Sequence, residues 1–355
     1  MSRFVKTVRI LRDGSVILFV TLILLELSLR VFHHVNPTVF FPQDSYNRWR
    51  GKPHSIHCGF PLNSKGFNGR EFETKKAAGT YRIVVIGDSF VFGVVSQKDV
   101  FTYLIEERLR QSGNVEVINM GICSTGPEHY RDLLLREGLE LDPDMVIVGF
   151  FVGNDFAFGG AEHRSLGLRV ADHTFVGSLA VALAHIGPRF DGQIVQDEER
   201  CKDYLPSFDL DTYLKIVSER SLIFSRSHSV FNACLRRATA CMVETKRICT
   251  WRDARMLVVL MPDEVQIDAG LQSAVSERLQ RKDLDFGLPN REFGKRLTSE
   301  KVEYLDLLEA FRVASAGKRL YKPNDSHWNR AGNAVAADAL YDYLRKSPAT
   351  AESKK

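Results

Sequence analysis

Residues 82–93 read Arg-Ile-Val-Val-Ile-Gly-Asp-Ser-Phe-Val-Phe-Gly, and this stretch decides the fold of the chain. Arg82 to Ile86 is short, β-branched and continuous, the pattern of a strand buried on both faces. It runs directly into Gly87-Asp88-Ser89, a turn that presents a hydroxyl. Four further runs share its character: Val115 to Met120, Met145 to Phe151, Met256 to Met261 and Val302 to Leu305. Helical patterns lie between the first three, from about Asp99 to Gln111 and from about Pro127 to Leu139, with Pro127 at a tolerated first-turn position. A last helix is expected from Arg330 to Leu344. Strands alternating with helices imply a parallel sheet with right-handed crossovers, so the fold class is α/β.

In an open parallel sheet the ligand site lies beyond the carboxyl ends of the strands. Past the first strand stands Gly87-Asp88-Ser89, past the second Gly121, and past the third Gly153-Asn154-Asp155. One edge thus receives a hydroxyl, a flexible backbone N–H and a side-chain amide. A serine attacking an ester carbonyl builds negative charge on the carbonyl oxygen, and each donor aimed there contributes about 2.7 to 4 kcal/mol. The expected donors are the Ser89 N–H, the Gly121 N–H and the Asn154 amide. A serine hydroxyl is a poor nucleophile until a base takes its proton. His327, in Asn324-Asp-Ser-His-Trp-Asn329 ahead of the last helix, is the expected base. Asp325, two residues earlier, is placed to orient the imidazole and stabilise its charged form.

These residues resemble the motifs of the SGNH, or GDSL, hydrolases. Val85-Ile-Gly-Asp-Ser-Phe-Val-Phe-Gly93 resembles block I, in which the serine is the nucleophile. Asn119-Met-Gly121 resembles block II, Gly153-Asn-Asp155 block III, and Asp325-Ser-His327 block V, in family order between residues 81 and 345. Leu62-Asn-Ser-Lys-Gly-Phe-Asn-Gly-Arg-Glu71 also resembles the segment that leads into block I in bacterial, membrane-anchored members. The family often sets its acid three residues before the histidine, where this chain has Asn324; Asp325 matches another bacterial variant. A Ser-His dyad helped by a backbone carbonyl is the alternative. The resemblance implies a flavodoxin-like three-layer α/β/α sandwich and ester hydrolysis without metal or cofactor. In extracytoplasmic relatives it implies action on acyl groups of carbohydrates or lipids.

Other chemistries find less support. A net charge of +4 over 355 residues is too small to argue for a nucleic-acid partner. The stretch lacks the G-K-[ST] of a phosphate loop and the G-x-G-x-x-G of a dinucleotide site. It also lacks the second glycine of the G-x-S-x-G elbow, which argues against the α/β-hydrolase fold. Asp88 and Asp155 adjoin motif residues and are expected to hold loops. His54-Ser-Ile-His-Cys58 offers three metal-ligand types, yet nothing elsewhere completes a zinc site, so a surface turn is expected. The six cysteines are read as buried thiols. Cys234, Cys241 and Cys249 are close enough in sequence for one disulfide, with the pairing left open. From Arg220 to Arg255 eight basic residues stand against two acidic ones, read as a solvated helix face, the alternative being contact with anionic lipid headgroups or an acidic polysaccharide.

Arg3, Lys6, Arg9 and Arg12 precede an apolar run from Val16 to Phe32, broken by Thr21, Glu26, Ser28 and Arg30. Residues 1–40 are therefore read as a basic flank and a single-pass membrane anchor, its amino terminus cytoplasmic and the rest of the chain on the extracytoplasmic side. Glu26 and Arg30, four apart, are expected to pair. Residues 41–80 read as a tether and lead-in, 81–345 as the hydrolase domain with an insertion at about 156–250, and 346–355 as a polar tail. Within the insertion Phe231, Cys234, Leu235, Ala238, Cys241 and Met242 recur at helical spacing, and the insertion is a candidate cap over the site. The expected activity is that of a serine esterase on an acylated carbohydrate or lipid. The alternatives are an O-acetyltransferase acting on a surface polysaccharide and a non-catalytic binding member of a polysaccharide assembly complex.

Overall fold

The structure, a computed structural model, describes residues 2–35, 46, 50–156, 174–177, 179, 201–227 and 231–346. The chain divides into two compact units, one of Met1–Arg48 with Ala161–Gln193, the other of Trp49–Gly160 with Ile194–Lys355.

The first unit is dominated by helix α1, Ser2–Val35. Its 27 residues Lys6–Phe32 are long and apolar enough to cross a membrane, and at 1.5 Å per residue they reach about 40 Å against a hydrocarbon core of about 30 Å. The hydroxyls of Ser15, Thr21 and Ser28 each donate to the carbonyl four residues earlier at 2.8 Å. These three hydroxyls are thus satisfied within the helix without water. Glu26 and Arg30 form the expected pair at 2.8 Å, and Glu26 also accepts the Val176 N–H at 2.9 Å.

The second unit begins with a hairpin, β1 (Ile56–His57) against β2 (Phe60–Pro61). There follow β3 (Tyr81–Gly87), α2 (Ser89–Phe92), α3 (Phe101–Leu109), β4 (Val115–Gly121), α4 (Pro127–Arg136) and β5 (Met145–Phe151). After the insertion's α5 (Leu210–Arg220) and α6 (Phe231–Trp251) come β6 (Arg255–Met261), α7 (Ala269–Arg278), α8 (Leu288–Ser299), β7 (Tyr304–Asp306), α9 (Leu308–Ser315) and α10 (Arg330–Lys346). The five apolar runs all become strands of one parallel sheet in the order β4-β3-β5-β6-β7. β4 lies on one side of β3, and β5, β6 and β7 follow in turn on the other. The order therefore reverses between β3 and β5, and in sheets of this kind ligands bind beyond the carboxyl ends at such a reversal.

Alternation along the strands divides the core. Ile83, Val85, Met145, Ile147, Leu257 and Val259 share a buried cluster with residues of α3 and α10. The intervening Val84, Ile86, Val146, Val148, Val258 and Leu260 are equally inaccessible and face the opposite layer. There α6 packs against α4, α8 and β6. The apolar stripe beginning at Phe231 thus belongs to the crossover helix between β5 and β6 and forms part of a layer; it does not cap the site.

Two other expectations change. The described part of 41–80 is packed, with Leu62, Phe67 and Asn68 buried. Its polar residues read as a linker because hydrogen bonds made across long sequence separations leave no periodicity. Asn68 Nδ2 donates to Phe92 O at 2.9 Å, and Arg82 donates to the carbonyls of Glu73 and Thr74. Gly66 has φ of 78°, and a Cβ there would meet Gly51 O at 2.0 Å, so this close crossing excludes side chains.

The disulfide joins Cys58 to Cys201, while Cys234, Cys241 and Cys249 are free thiols along α6. Spacings of seven and eight residues in a helix set Cα atoms roughly 10 to 12 Å apart, beyond the reach of a bridge.

Candidate active site

Strand β3 ends where a side chain would collide: a Cβ on Gly87 would lie 2.3 Å from Val91 Cγ2 and 3.0 Å from Gly149 O. Asp88, wholly buried, caps α2 by accepting the Phe90 N–H at 2.9 Å. Ser89 is the first residue of that helix, so its N–H has no intrahelical acceptor.

The last loop brings His327 to Ser89. His327 Nε2 lies 2.7 Å from Ser89 Oγ, and His327 Nδ1 lies 2.6 Å from Asp325 Oδ1. The same carboxylate oxygen accepts the His327 backbone N–H at 3.0 Å, a tight Asx turn that lets an acid only two residues away reach the ring. Packing fixes the loop. Trp328 is buried, edge-on to Phe90 at 5.1 Å and stacked on Phe311 at 4.9 Å, and the Phe90 ring lies 5.3 Å from the imidazole. Burial alone would raise the Asp325 carboxyl. The adjacent imidazole and the donors on its oxygens outweigh burial and hold it well below the usual carboxylate range.

Asn154 and Gly121 differ in what they offer. The Asn154 amide nitrogen donates to Asp88 Oδ2 at 3.3 Å, leaving its second proton unspent on that bond. Gly121, whose N–H was expected to face a ligand, instead donates it to Asn119 Oδ1 at 2.9 Å. The glycine is required for space, because a Cβ there would meet Phe92 N at 2.1 Å, where α2 lies against the end of β4. Asp155 accepts from Tyr130 Oη at 2.9 Å and from the Phe151 N–H at 2.8 Å, tying the β5 loop to α4. Burial first, and the nearby Asp88 second, push the Asp155 carboxyl well up. Burial also raises Asp88, against the opposing Phe90 N–H, His327 and Asn154.

Two residues at this edge carry no sequence signal. Ser207 Oγ donates to Asp325 Oδ2, and Arg220 Nη1 donates to Ser326 Oγ at 2.7 Å with its guanidinium 5.8 Å from the Phe151 ring centre. Both belong to the insertion and meet the histidine loop across more than a hundred residues, where no local pattern records the contact. The 54–58 segment is more than a surface turn. His57 is buried, with Nε2 2.9 Å from Gly93 O, and Cys58 is half of the disulfide. The ligand-type atoms of His57, Cys58 and Cys201 lie within 4.8 Å of one another, but both sulfurs are committed to each other.

The family model described as an SGNH hydrolase-like domain, acetyltransferase AlgX, matches residues 225–355, which hold Asp325 and His327 but not Ser89. No curated sequence matches the chain. Among solved structures, TesA is 11% identical, with a TM-score of 0.42 over 74% of this chain and 98% of its own. The acetyl xylan esterase AlAXEase is 14% identical, with a TM-score of 0.43 over 74% and 99%. The acetyl-xylooligosaccharide esterase Axe2 of Geobacillus Stearmophilus is 12% identical, with a TM-score of 0.42 over 75% and 95%.

Proposed function

We propose that this chain is a serine esterase of the SGNH hydrolase type, with Ser89 as nucleophile, His327 as base and Asp325 as the orienting acid, a reading that the family-model match over residues 225–355 supports. The observation that carries the reading is the Ser89 Oγ to His327 Nε2 separation of 2.7 Å, with Asp325 at 2.6 Å on the far side of the ring. Ser89 Oγ attacks the ester carbonyl carbon and gives its proton to His327 Nε2. The carbonyl oxygen, now anionic, is met by the Ser89 N–H and the second proton of the Asn154 amide. Gly121 joins them only if its N–H parts from Asn119. Collapse breaks the ester C–O bond, His327 protonates the departing alkoxide, and the acyl group remains on Ser89. Water then gives a proton to His327, attacks the acyl carbon and releases the acid as the proton returns to Ser89.

The substrate we assign is an acylated carbohydrate or lipid outside the cytoplasm, with α1 as the anchor. Support comes from the basic residues that precede the apolar run and from a disulfide, which persists in oxidising compartments. A second reading, transfer of the acyl group to a sugar hydroxyl, is favoured by the acetyltransferase named in the family description. Incubating the enzyme with p-nitrophenyl acetate, with and without an oligosaccharide, separates the two. Free acetate in equal yield in both reactions is expected. Acetylated oligosaccharide formed at the expense of acetate contradicts hydrolysis, and the absence of any turnover contradicts both readings.

A further inference from the structure

We propose that Ser207, in the stretch between β5 and α5, is a positioning residue for Asp325, an assignment that rests on the catalytic reading of Ser89, His327 and Asp325 above. A carboxylate that orients an imidazole has two oxygens to satisfy. Asp325 Oδ1 serves both the His327 ring and the His327 backbone N–H, at 2.6 and 3.0 Å. The other oxygen, Oδ2, accepts the Ser207 hydroxyl. Asp325 is only 5% exposed, so without that donor a buried anionic oxygen is left to itself and the carboxylate is free to turn about its Cβ–Cγ bond.

The hydroxyl does not arrive alone. The Ser207 N–H donates to Pro323 O at 3.2 Å, and Asn324 Nδ2 donates to Phe208 O at 3.1 Å. Three residues further on from the histidine, the Arg330 N–H donates to Asp203 Oδ2 at 3.1 Å. The stretch 203–208 is thus bonded at four points along the loop that carries the acid and the base. Asn324, with φ of 47°, sits in the left-handed region directly before the acid. Its side-chain bond to Phe208 O holds it there. The insertion therefore completes the acid side of the site, and Ser207 is its direct contact.

The test compares Ser207→Ala and Ser207→Thr in the full chain, each alone and in an Asp325→Ala background. The readouts are kcat and KM for p-nitrophenyl acetate, phosphonate labelling of Ser89, and a thermal melt of each variant. Ser207→Ala is expected to lower kcat by about ten- to a hundredfold, the range of a hydrogen bond to a charged group, while KM stays within about twofold. Ser207→Thr, which keeps the hydroxyl, restores most of the loss. In the Asp325→Ala background Ser207→Ala costs nothing more, because the bond is already gone. A kcat for Ser207→Ala equal to that of wild type overturns the proposal. So does an equal further loss without Asp325, since the hydroxyl would then act elsewhere. A wild type that neither turns over the ester nor labels at Ser89 overturns the catalytic reading and this assignment with it.

Discussion

Asn154 is held by Asp88, and Asp88 is the cap of the helix that begins at Ser89, so the proposed donor and the proposed nucleophile share one buried carboxylate. Removing the amide with Asn154→Ala is expected to lower kcat by about a hundred- to a thousandfold, as loss of one oxyanion donor does, with little change in KM; steady-state kinetics checks this. His327→Ala is expected to abolish phosphonate labelling of Ser89, while Asp325→Ala slows it, because the imidazole keeps its place against Phe90 without the acid. Equal loss in both would show the acid to be indispensable. Away from the site, burial raises the Glu264 carboxyl from 4.5 to about 7, with Tyr213 Oη bonded to it. The folded chain then keeps this proton up to about pH 7 whereas the unfolded chain releases it near 4.5. Between those values the folded state binds more protons, so stability falls as pH rises, by at most about 3 kcal/mol. Glu264→Gln is expected to flatten the decline of Tm between pH 5 and pH 7, read by thermal melts; an unchanged slope would contradict it.

The short helix α2 works because two neighbours leave it room: Gly121 at the end of β4, and Gly149 inside β5, where a Cβ would meet Val91 Cγ2 at 2.5 Å. Gly121→Ala is expected to push α2 off β4 and to lower both stability and activity; thermal melts and kinetics equal to those of wild type would contradict its role as a spacer. Trp328 anchors the histidine loop from below, and Trp328→Ala is expected to cost about 3 to 5 kcal/mol, read by urea unfolding. These elements also mark what the sequence made legible. Buried parallel strands announce themselves by unbroken runs such as Arg82 to Ile86, and β3 to β7 begin within about two residues of where those runs begin. Family motifs at the strand ends placed Ser89, Asn154 and His327 on one edge. Glycine is ambiguous, however: Gly121 reads as a donor beside a ligand, and its neighbours make it a spacer whose N–H goes to Asn119. The role of Ser207 was invisible because its bond to Asp325 spans 118 residues.

Across the whole second unit, Cys58–Cys201 ties the two sides of the proposed site together. Cys58 follows His57, which bonds Gly93 O just after the helix of Ser89, and Cys201 begins the stretch that ends on Asp325. The bridge closes a separation of 143 residues, for which chain entropy gives a loss of about 5 kcal/mol on removal, with 2 to 5 kcal/mol typical. Replacing both cysteines by alanine is expected to lower stability within that range by urea unfolding. Two distant stretches of chain meet at one hydrogen bond between Ser89 and His327, 238 positions apart. Covalent trapping reads that meeting most directly. Treating the purified full chain with a fluorophosphonate and mapping the adduct by peptide mass spectrometry is expected to give a single modification on Ser89, absent from His327→Ala. An unmodified Ser89 in the folded wild type, or equal labelling of the histidine variant, would contradict the account.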